Sequence, residues 1–505
     1  MRAFSTIEIL LALAILTSTL VAVALVALGT PFMLANMKLE HEAYGRASMQ
    51  LERVEHLARL DYSRIAPVAS STQHGFTTSL SIEPLDDEAS ARVYSNVSWT
   101  DSQGENRFAS LETTVTDPTA IDAPCDPLII GDWTRPRVVA TYQLSAGSLL
   151  PAGTPIDTYS VSDISVLGST LIASVSATGQ ATSSTLFFFN VADSHHTPLP
   201  FGIGFDNAST SRTGFSAVTT GAGYVFAANG FGSASAATCA DNVSCAQLQI
   251  FEVPETGAPQ RIGTLAFNKN AFPHAVTATG ASAGARAVFY YHGFLYLGLE
   301  KTSGGQEFVI VDVHDAAHPR FLSGVPIGRS VNHILVRGSY AYVATDDPAR
   351  ELTIVDIHDP QHPVVAGVWN APGSIGFGLG SAITAHGTII RFGRTYVNNA
   401  PELLSLAADD LSMVHPLAAK DIGTALSPES VRGLLTRDFL TYVLTTTSLQ
   451  FFDTSTPTAF TPYAMSLALP SGTQGTALAC RGNMIYIGLT RTSDGTGFIQ
   501  ALTSS

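Results

Sequence analysis

Two stretches decide the fold: FVIVDVHDAAHPRFLSGVPIG (Phe308–Gly328) and LTIVDIHDPQHPVVAGVWNAPG (Leu352–Gly373). Each is an apolar run ending in aspartate, a polar turn with two histidines and a proline, and a second apolar run. Asp312 and Asp356 lie 44 residues apart (356 − 312), and a period of that size signals a propeller or a repeat array. Weaker copies begin at Leu186, Leu248 and Leu449, and a degenerate one begins at Glu402. Ahead of each copy sits a strand–turn–strand phrase, as in ARAVFYYHGFLYLGLEK (Ala285–Lys301) and VNHILVRGSYAYVATDD (Val331–Asp347). One unit therefore reads as four short antiparallel strands, which is a propeller blade.

Six such units run from about Val161 to Pro470. A seventh starts at Gly475 and stops without its last strand, which the stretch RPRVVATYQLSA (135–146) would supply from the other end of the domain. That closure would leave no open sheet edge. The repeat phrase resembles the LVIVD-repeat family of β-propellers, found in bacterial and archaeal surface proteins. The resemblance implies the fold and leaves the function open, because propellers host binding, scaffolding and catalysis alike. Ring closure would also bring Cys125 near the blade holding Cys480, which makes a clasp disulfide the expectation and two free buried thiols the alternative. Cys239 and Cys245 flank a short polar loop and could close a small ring of their own.

The N-terminus, MRAFSTIEILLALAILTSTLVAVALVALGTP, poses a different question. From Ile9 to Gly29 there are 21 residues without a charge, enough to span a bilayer core as a helix, with Glu8 at the mouth of the run. The stretch resembles the class III leader and helix of type IV pilins and type II secretion pseudopilins. That resemblance implies cleavage by a prepilin peptidase between Ala3 and Phe4, N-methylation of Phe4, and Glu8 as an assembly contact to the new amine of a neighbouring subunit. The family usually carries glycine before the cut, where this chain has alanine. Beyond Pro31, apolar and charged residues alternate at spacings of three and four to about Leu60, as in a helix with one wet face. VSWTDSQGENRFASLETTVTD (Val97–Asp117) looks like the terminal hairpin of minor pilins.

The expected fold class is thus an α+β pilin-like N-terminal part, with a long, partly transmembrane helix and a small antiparallel sheet, followed by an all-β propeller of seven four-stranded blades. The expected divisions are a leader at 1–3, the membrane or filament-core half of the helix at 4–30, and its amphipathic half at 31–65. A small β domain at 66–117, a linker at 118–126 and the propeller at 127–505 follow.

Composition narrows the function. The formal charge of −15 argues against nucleic acid as a partner, since that requires basic patches. Four histidines, His314, His318, His358 and His362, form two HxxxH spacings that would suit zinc on a helix. Here they fall in the repeat's own turn, where aspartate capping of the backbone is the plainer reading. The sequence GASAG (Gly280–Gly284) matches a nucleophile elbow on paper, but lies in a run of small residues ahead of a strand. The expectation is no catalytic residue, no cofactor and no metal. The chain would be a minor pilin-like subunit, at the tip or in low abundance, of a type IV pilus-like filament that displays the propeller for adhesion or recognition. A pseudopilin-like part of a secretion system engaging cargo, and a membrane-tethered propeller hydrolase or lyase, are the alternatives. The implied partners are other pilin or pseudopilin subunits through the N-terminal helix, the prepilin peptidase, the inner membrane before assembly, and an extracellular ligand of the propeller. The implied location is a single-pass membrane precursor and then a cell-surface filament.

Overall fold

The computed structural model describes residues 6–60, 65, 67–84, 90–116, 131–144, 158–178, 184–191, 199–205, 212–230, 246–254, 258–266, 283–372, 378–386, 388–408 and 413–505. They fall into two compact units, Met1–Ile121 and Asp122–Ser505.

In the first unit a helix, Thr6–Leu60, accompanies a sheet of four antiparallel strands in sequence order: Val68–Gln73, Phe76–Pro84, Ser90–Thr100 and Asn106–Thr116. Small residues on the helix, Ala43 and Ala47, let it lie close against Phe76, Val97 and Trp99, and Leu51 and Val54 meet Leu80 and Val93 one turn on. Gln50 accepts a hydrogen bond from the buried Ser95 hydroxyl at 2.6 Å.

The expected class needs correction here. Strands dominate the described chain, and among the described residues no helix is long and apolar enough to cross a membrane. The exposed segment Leu13–Leu16 gives way at once to Thr17-Ser18-Thr19, whose hydroxyls bond back to carbonyls three and four residues earlier. The fold is a β-repeat architecture, and the pilin-like α+β class with a transmembrane helix is not supported.

The second unit is propeller-like. Sheet III (Ala285–Tyr291, Phe294–Leu299, Phe308–Asp312, Arg320–Val325) and sheet IV (Val331–Arg337, Tyr340–Thr345, Leu352–Asp356, Val364–Trp369) are four-stranded antiparallel meanders. Sheet V (Gly380–His386, Ile389–Arg394, Leu403–Ala407, His415–Lys420) repeats the plan. In sheet VI (Val431–Arg437, Leu440–Thr445, Ser448–Asp453) two short segments, Thr461–Pro462 and Leu467–Ala468, share the fourth place. Sheet I (Thr158–Leu167, Thr170–Thr178, Ser184–Asn190, Leu199–Phe205) and sheet II (Arg212–Gly221, Tyr224–Asn229, Leu248–Glu252, Gln260–Leu265) are fused. Their link is the pairing of Arg212–Gly214 with Ser176–Thr178. Sheet VII takes three strands from the C-terminus (Thr473–Arg481, Met484–Arg491, Gly497–Thr503) and its fourth, Arg137–Gln143, from the start of the unit. The first strands touch one another in a closed cycle, I to II and onward through VII back to I.

Burial explains the repeat phrase. The second and third strands have sheets packed on both sides, so Phe308–Val311 and Leu352–Val355 are buried along their whole length. An uninterrupted apolar run is what such a strand needs, since no face is left for polar residues. The fourth strands are outermost, and Val364–Trp369 is largely exposed.

Each first strand bulges at one repeated position, between Val161 and Asp163, Phe215 and Ala217, Ala285 and Ala287, Val331 and His333, Gly380 and Ala382, Val431 and Gly433, and Gly475 and Ala477. The extra residue is turned out of the ladder, and in three sheets its side chain bonds the next sheet. Ser216 donates to the Ala285 carbonyl, Asn332 to that of Gly380 at 2.8 Å, and Ser381 to that of Val431 at 2.8 Å.

The seventh sheet is sealed by Trp133, fully buried between sheets VI and VII. Its ring meets Tyr442 edge-on at 5.3 Å, and its Nε1 donates to Asn483 Oδ1 at 3.2 Å. Beside it, Asp132 and Ser505 exchange backbone hydrogen bonds at 3.3 and 3.1 Å, tying the entry of the unit to its last residue. Trp133→Ala should destabilise this unit by about 3–5 kcal/mol, the cost of truncating a large buried aromatic. Denaturant unfolding of the full chain checks it, and a change under 1 kcal/mol would show that Trp133 does not seal the ring.

Candidate functional site: the long-loop face

In an antiparallel meander the connections between strands one and two and between three and four emerge at one end. Those from two to three and from four to the next sheet emerge at the other. The two ends of this unit differ in kind. Six one-to-two connections are two-residue turns, 168–169, 222–223, 292–293, 338–339, 438–439 and 482–483, and in sheet V the two strands are likewise separated by two residues. The three-to-four connections of sheets II to VI are seven residues each, as in 313–319 and 357–363. At the other end lengths run from 2 residues (446–447) to 18 (230–247) and 19 (266–284). Insertions in repeat proteins collect on one face, often the binding face, which makes this end the candidate.

The short-turn face is closed by its own polar groups. Asp312, Asp356 and Asp453, each the last residue of a third strand, accept the backbone N–H two residues on at 3.1, 2.9 and 2.9 Å. The four candidate histidines do not converge. His314 Nδ1 lies 2.8 Å from Asp312, His318 Nδ1 2.9 Å from Asp315, and His362 Nδ1 2.8 Å from Asp359. His358 Nδ1 lies 3.5 Å from the Ser339 hydroxyl. Hydrogen bonds from His318 and His362 hold the Asp315 and Asp359 carboxyls below their usual range. Among the described residues no group of three or more His, Cys, Asp or Glu is placed to hold a metal ion. Arg437 reaches the next sheet's turn at Asn483 (3.0 Å), and Arg481 reaches the Gly168 and Val191 carbonyls of sheet I, both at 2.7 Å.

The long-loop face is organised by residues that sequence reasoning passed over. Immediately before the third strands of sheets III, IV and V stand Glu307, Glu351 and Glu402, all fully buried. Glu307 accepts the Thr302 N–H and hydroxyl at 3.0 and 2.8 Å, and the N–H groups of Ile327 and Gly328 at 3.0 and 2.8 Å. Glu402 accepts from Val397 (3.3 Å), Ile422 (2.9 Å) and Gly423 (3.2 Å), while burial pushes its carboxyl above the usual range. Glu351 accepts the Ala371 N–H at 2.9 Å and pairs with the equally buried Arg394 at 3.1 Å. Each carboxylate thus ties a two-to-three connection, or the next sheet, to the segment that follows the fourth strand. Sheet II has Gln247 at the same place, donating to the Ala283 carbonyl at 3.2 Å. The signal was present: Gln247, Glu307, Glu351 and Glu402 each directly precede an apolar repeat run.

Two further ionisable groups occupy the position after the bulge on the inner strands, where five sheets carry alanine or glycine. In sheet I, Asp163 accepts the N–H groups of Ile164 (2.8 Å) and of Val218 in sheet II (3.0 Å), and burial raises its carboxyl to about 7. In sheet IV, burial lowers the His333 imidazole to about 4, and its Nδ1 is buried without a hydrogen-bond partner.

Of the other candidate residues, Ala3, Phe4, Cys125, Cys239 and Cys245 lie outside the described residues, as does the side chain of Glu8 in the helix. Cys480 is fully buried and disulfide-bonded. In the GASAG stretch only Ala283 and Gly284 are described; both precede the first strand of sheet III.

One repeat family and two solved structures are similar to parts of this chain. Residues 328–371 match the LVIVD repeat family; they are sheet IV with its leading turn. Among solved structures, the AfRom2 CNH domain is similar at 8% identity over 74% of this chain and 99% of that one, with a TM-score of 0.39. The extracellular domain of a putative one-component system from B. thetaiotaomicron is similar at 10% identity, with a TM-score of 0.41. That match covers 86% of this chain and 59% of the other. No curated protein matches the chain.

Two outcomes follow from these groups. Glu307→Ala should cost at least about 3 kcal/mol, because four donors lose a buried charged acceptor. Glu307→Gln, the residue type that sheet II uses, should cost less; equal losses in urea unfolding would refute the pinning role. For the inner strands, the raised Asp163 makes stability fall as pH rises from about 4 to about 7. The lowered His333 makes stability fall as pH drops from 6.5 to about 4. The two slopes oppose each other between about 4 and 6.5, so Asp163→Ala and His333→Ala should tilt the stability profile in opposite directions, each by at most about 3 kcal/mol. Parallel profiles for both variants would contradict this. In sequence and in structure, residues 328–371 are an LVIVD repeat, set in a β-propeller-like array.

Proposed function

We propose that residues 122–505 form a recognition head whose long-loop face binds an extracellular ligand, and that the chain is a low-abundance or tip subunit of a type IV pilus-like filament. The observation that carries the first part is the contrast between the faces. One is uniform and satisfied by its own aspartates, histidines and arginines; the other holds connections of 2 to 19 residues on a base fixed by buried carboxylates. A scaffold of that kind separates stability from specificity, as binding loops on rigid frameworks do. The second part rests on the N-terminal sequence, where Ala3, Phe4 and Glu8 stand at the positions of a prepilin cleavage and assembly motif. The head is read as a binding module rather than an enzyme, in keeping with a face built from backbone pins.

Shortening 267–282 to two residues, which keeps Ala283 and Gly284, should abolish adhesion of bacteria carrying the protein while leaving the melting temperature within a few degrees. Undiminished adhesion would remove this face from recognition. Mass spectrometry of the mature protein should find an N-methylated Phe4 at its start; an intact Met1, or cleavage near Gly29, would overturn the filament reading.

A further inference from the structure

The second strand of sheet V, Ile389–Arg394, carries two buried arginines that are compensated differently. Arg394 turns to sheet IV and pairs with Glu351 at 3.1 Å. Arg391 turns to sheet VI, where its Nη2 donates to the Thr454 carbonyl at 3.2 Å and its Cζ lies 5.6 Å from the centre of the Phe460 ring. Its Nη1 donates to the Ser405 hydroxyl of its own sheet. Its Nε is buried without a hydrogen-bond partner among the described residues, and none of their carboxylates pairs with it. Burial alone pulls the guanidinium down to about 10.

The repeat fills these places with hydrocarbon. Where sheet V has Arg391, sheets III, IV, VI and VII have the buried tyrosines Tyr296, Tyr342, Tyr442 and Tyr486. Opposite it in the ladder Ser405 replaces the isoleucine of sheets II, III and IV. Across the seam, Thr441 takes a position that is aliphatic in the other six sheets. The hydroxyls that surround the guanidinium spend their protons elsewhere. Ser405 donates to the Pro457 carbonyl at 2.7 Å, the Thr441 and Thr454 hydroxyls lie 2.9 Å apart, and Thr454 donates to the Phe439 carbonyl at 3.1 Å. They supply dipoles and no negative charge, as does the ring of Phe460.

We infer that the seam between sheets V and VI binds one monovalent inorganic anion, of which chloride is the type, held by Arg391 Nε and the hydroxyl of Thr384. A guanidinium taken out of water is costly until a counter-charge accompanies it, and a buried N–H left unmade adds to the cost. Thr384, itself buried, stands directly opposite Arg391 in the ladder, so its side chain shares the same face and lies within reach of one small ion. The single positive charge selects a monovalent ion, since sulfate or phosphate would leave net negative charge inside the seam. Enclosure by sheets on both sides selects a small one and excludes the carboxylate of a polypeptide. This site is independent of the recognition proposed for the long-loop face.

The test compares the full chain in sodium chloride and in sodium gluconate at equal ionic strength. Chloride should raise the melting temperature by about 2 °C or more, with a dependence that saturates as one site fills. Chloride NMR should show excess line broadening in the presence of the chain. Arg391→Tyr, the residue type of the neighbouring sheets, should remove both effects, and Thr384→Val should weaken both. Equal melting in the two salts with no excess broadening would overturn the site. A chloride response that survives Arg391→Tyr would overturn it too, by placing the ion elsewhere or reducing it to a general salt effect. A larger Arg391-dependent response to sulfate would overturn the monovalent assignment. If Arg391→Tyr does not fold, the parent chain and Thr384→Val still decide, and broadening that Thr384→Val leaves unchanged would overturn the two-donor site.

Discussion

A buried carboxylate at the doorway of the third strand is the constraint on which the second unit depends. Taking an ionised glutamate out of water costs several kcal/mol unless donors surround it. Glu307 meets four, and each one fixes a piece of chain that would otherwise be a free connection. The expense of burying the charge is thereby converted into geometry: the loop after strand two and the segment after strand four must come to the same point. Glu402 imposes the same rule on the other side of the LVIVD match, where the repeat phrase itself has decayed to ELLSLAADD. The pin thus outlasts the pattern that announces the fold.

The sheets are joined by a second, weaker device. Bulged residues on the inner strands turn hydroxyl and amide groups onto the next sheet's backbone, and small residues let the sheets approach. A Cβ on Gly298 or Gly393 would lie 2.4 Å from Val331 or Val431 of the following sheet. The seam between sheets I and II departs from this scheme, with ladder hydrogen bonds at Arg212–Gly214 and the Asp163 carboxylate on Val218. It is the one seam among the described residues where neighbouring sheets pair directly.

The periodicity made the four-strand unit legible, because strands buried on both faces must be written as unbroken apolar runs such as FVIVD and LTIVD. The Asp–His turns were legible too, since aspartate followed by a proline-terminated turn is local chemistry. In the N-terminal part the helix to Leu60 and the hairpin of Ser90–Thr100 with Asn106–Thr116 were legible as well, but the membrane reading of that helix was not sound. Its 21 uncharged residues imply a membrane helix by count alone, and composition does not say whether a helix carrying Thr17-Ser18-Thr19 amid leucines belongs in lipid. The buried glutamates were missed for the opposite reason: a lone acid beside an apolar run looks like a solvated strand end. Its role depends on donors 5 to 21 residues away that only the fold brings together.

These features divide labour between the two ends of the second unit. Where turns are two residues long, Asp312, Asp356, Asp453, Arg437 and Arg481 bond the backbone and neighbouring turns of the repeat itself, and a substitution at them is felt as stability. Where connections start and finish at a pinned Ile-Gly and a capping serine, the ends are held by Glu307 and Glu402 and by Ser330 and Ser430, so the length between them can differ while the sheets keep the same plan. The step from one arginine in 326–330 to six residues in 421–430 is that freedom made visible on a single scaffold. A chain that keeps its pins can therefore alter the surface it presents at that end by rewriting a few residues between them.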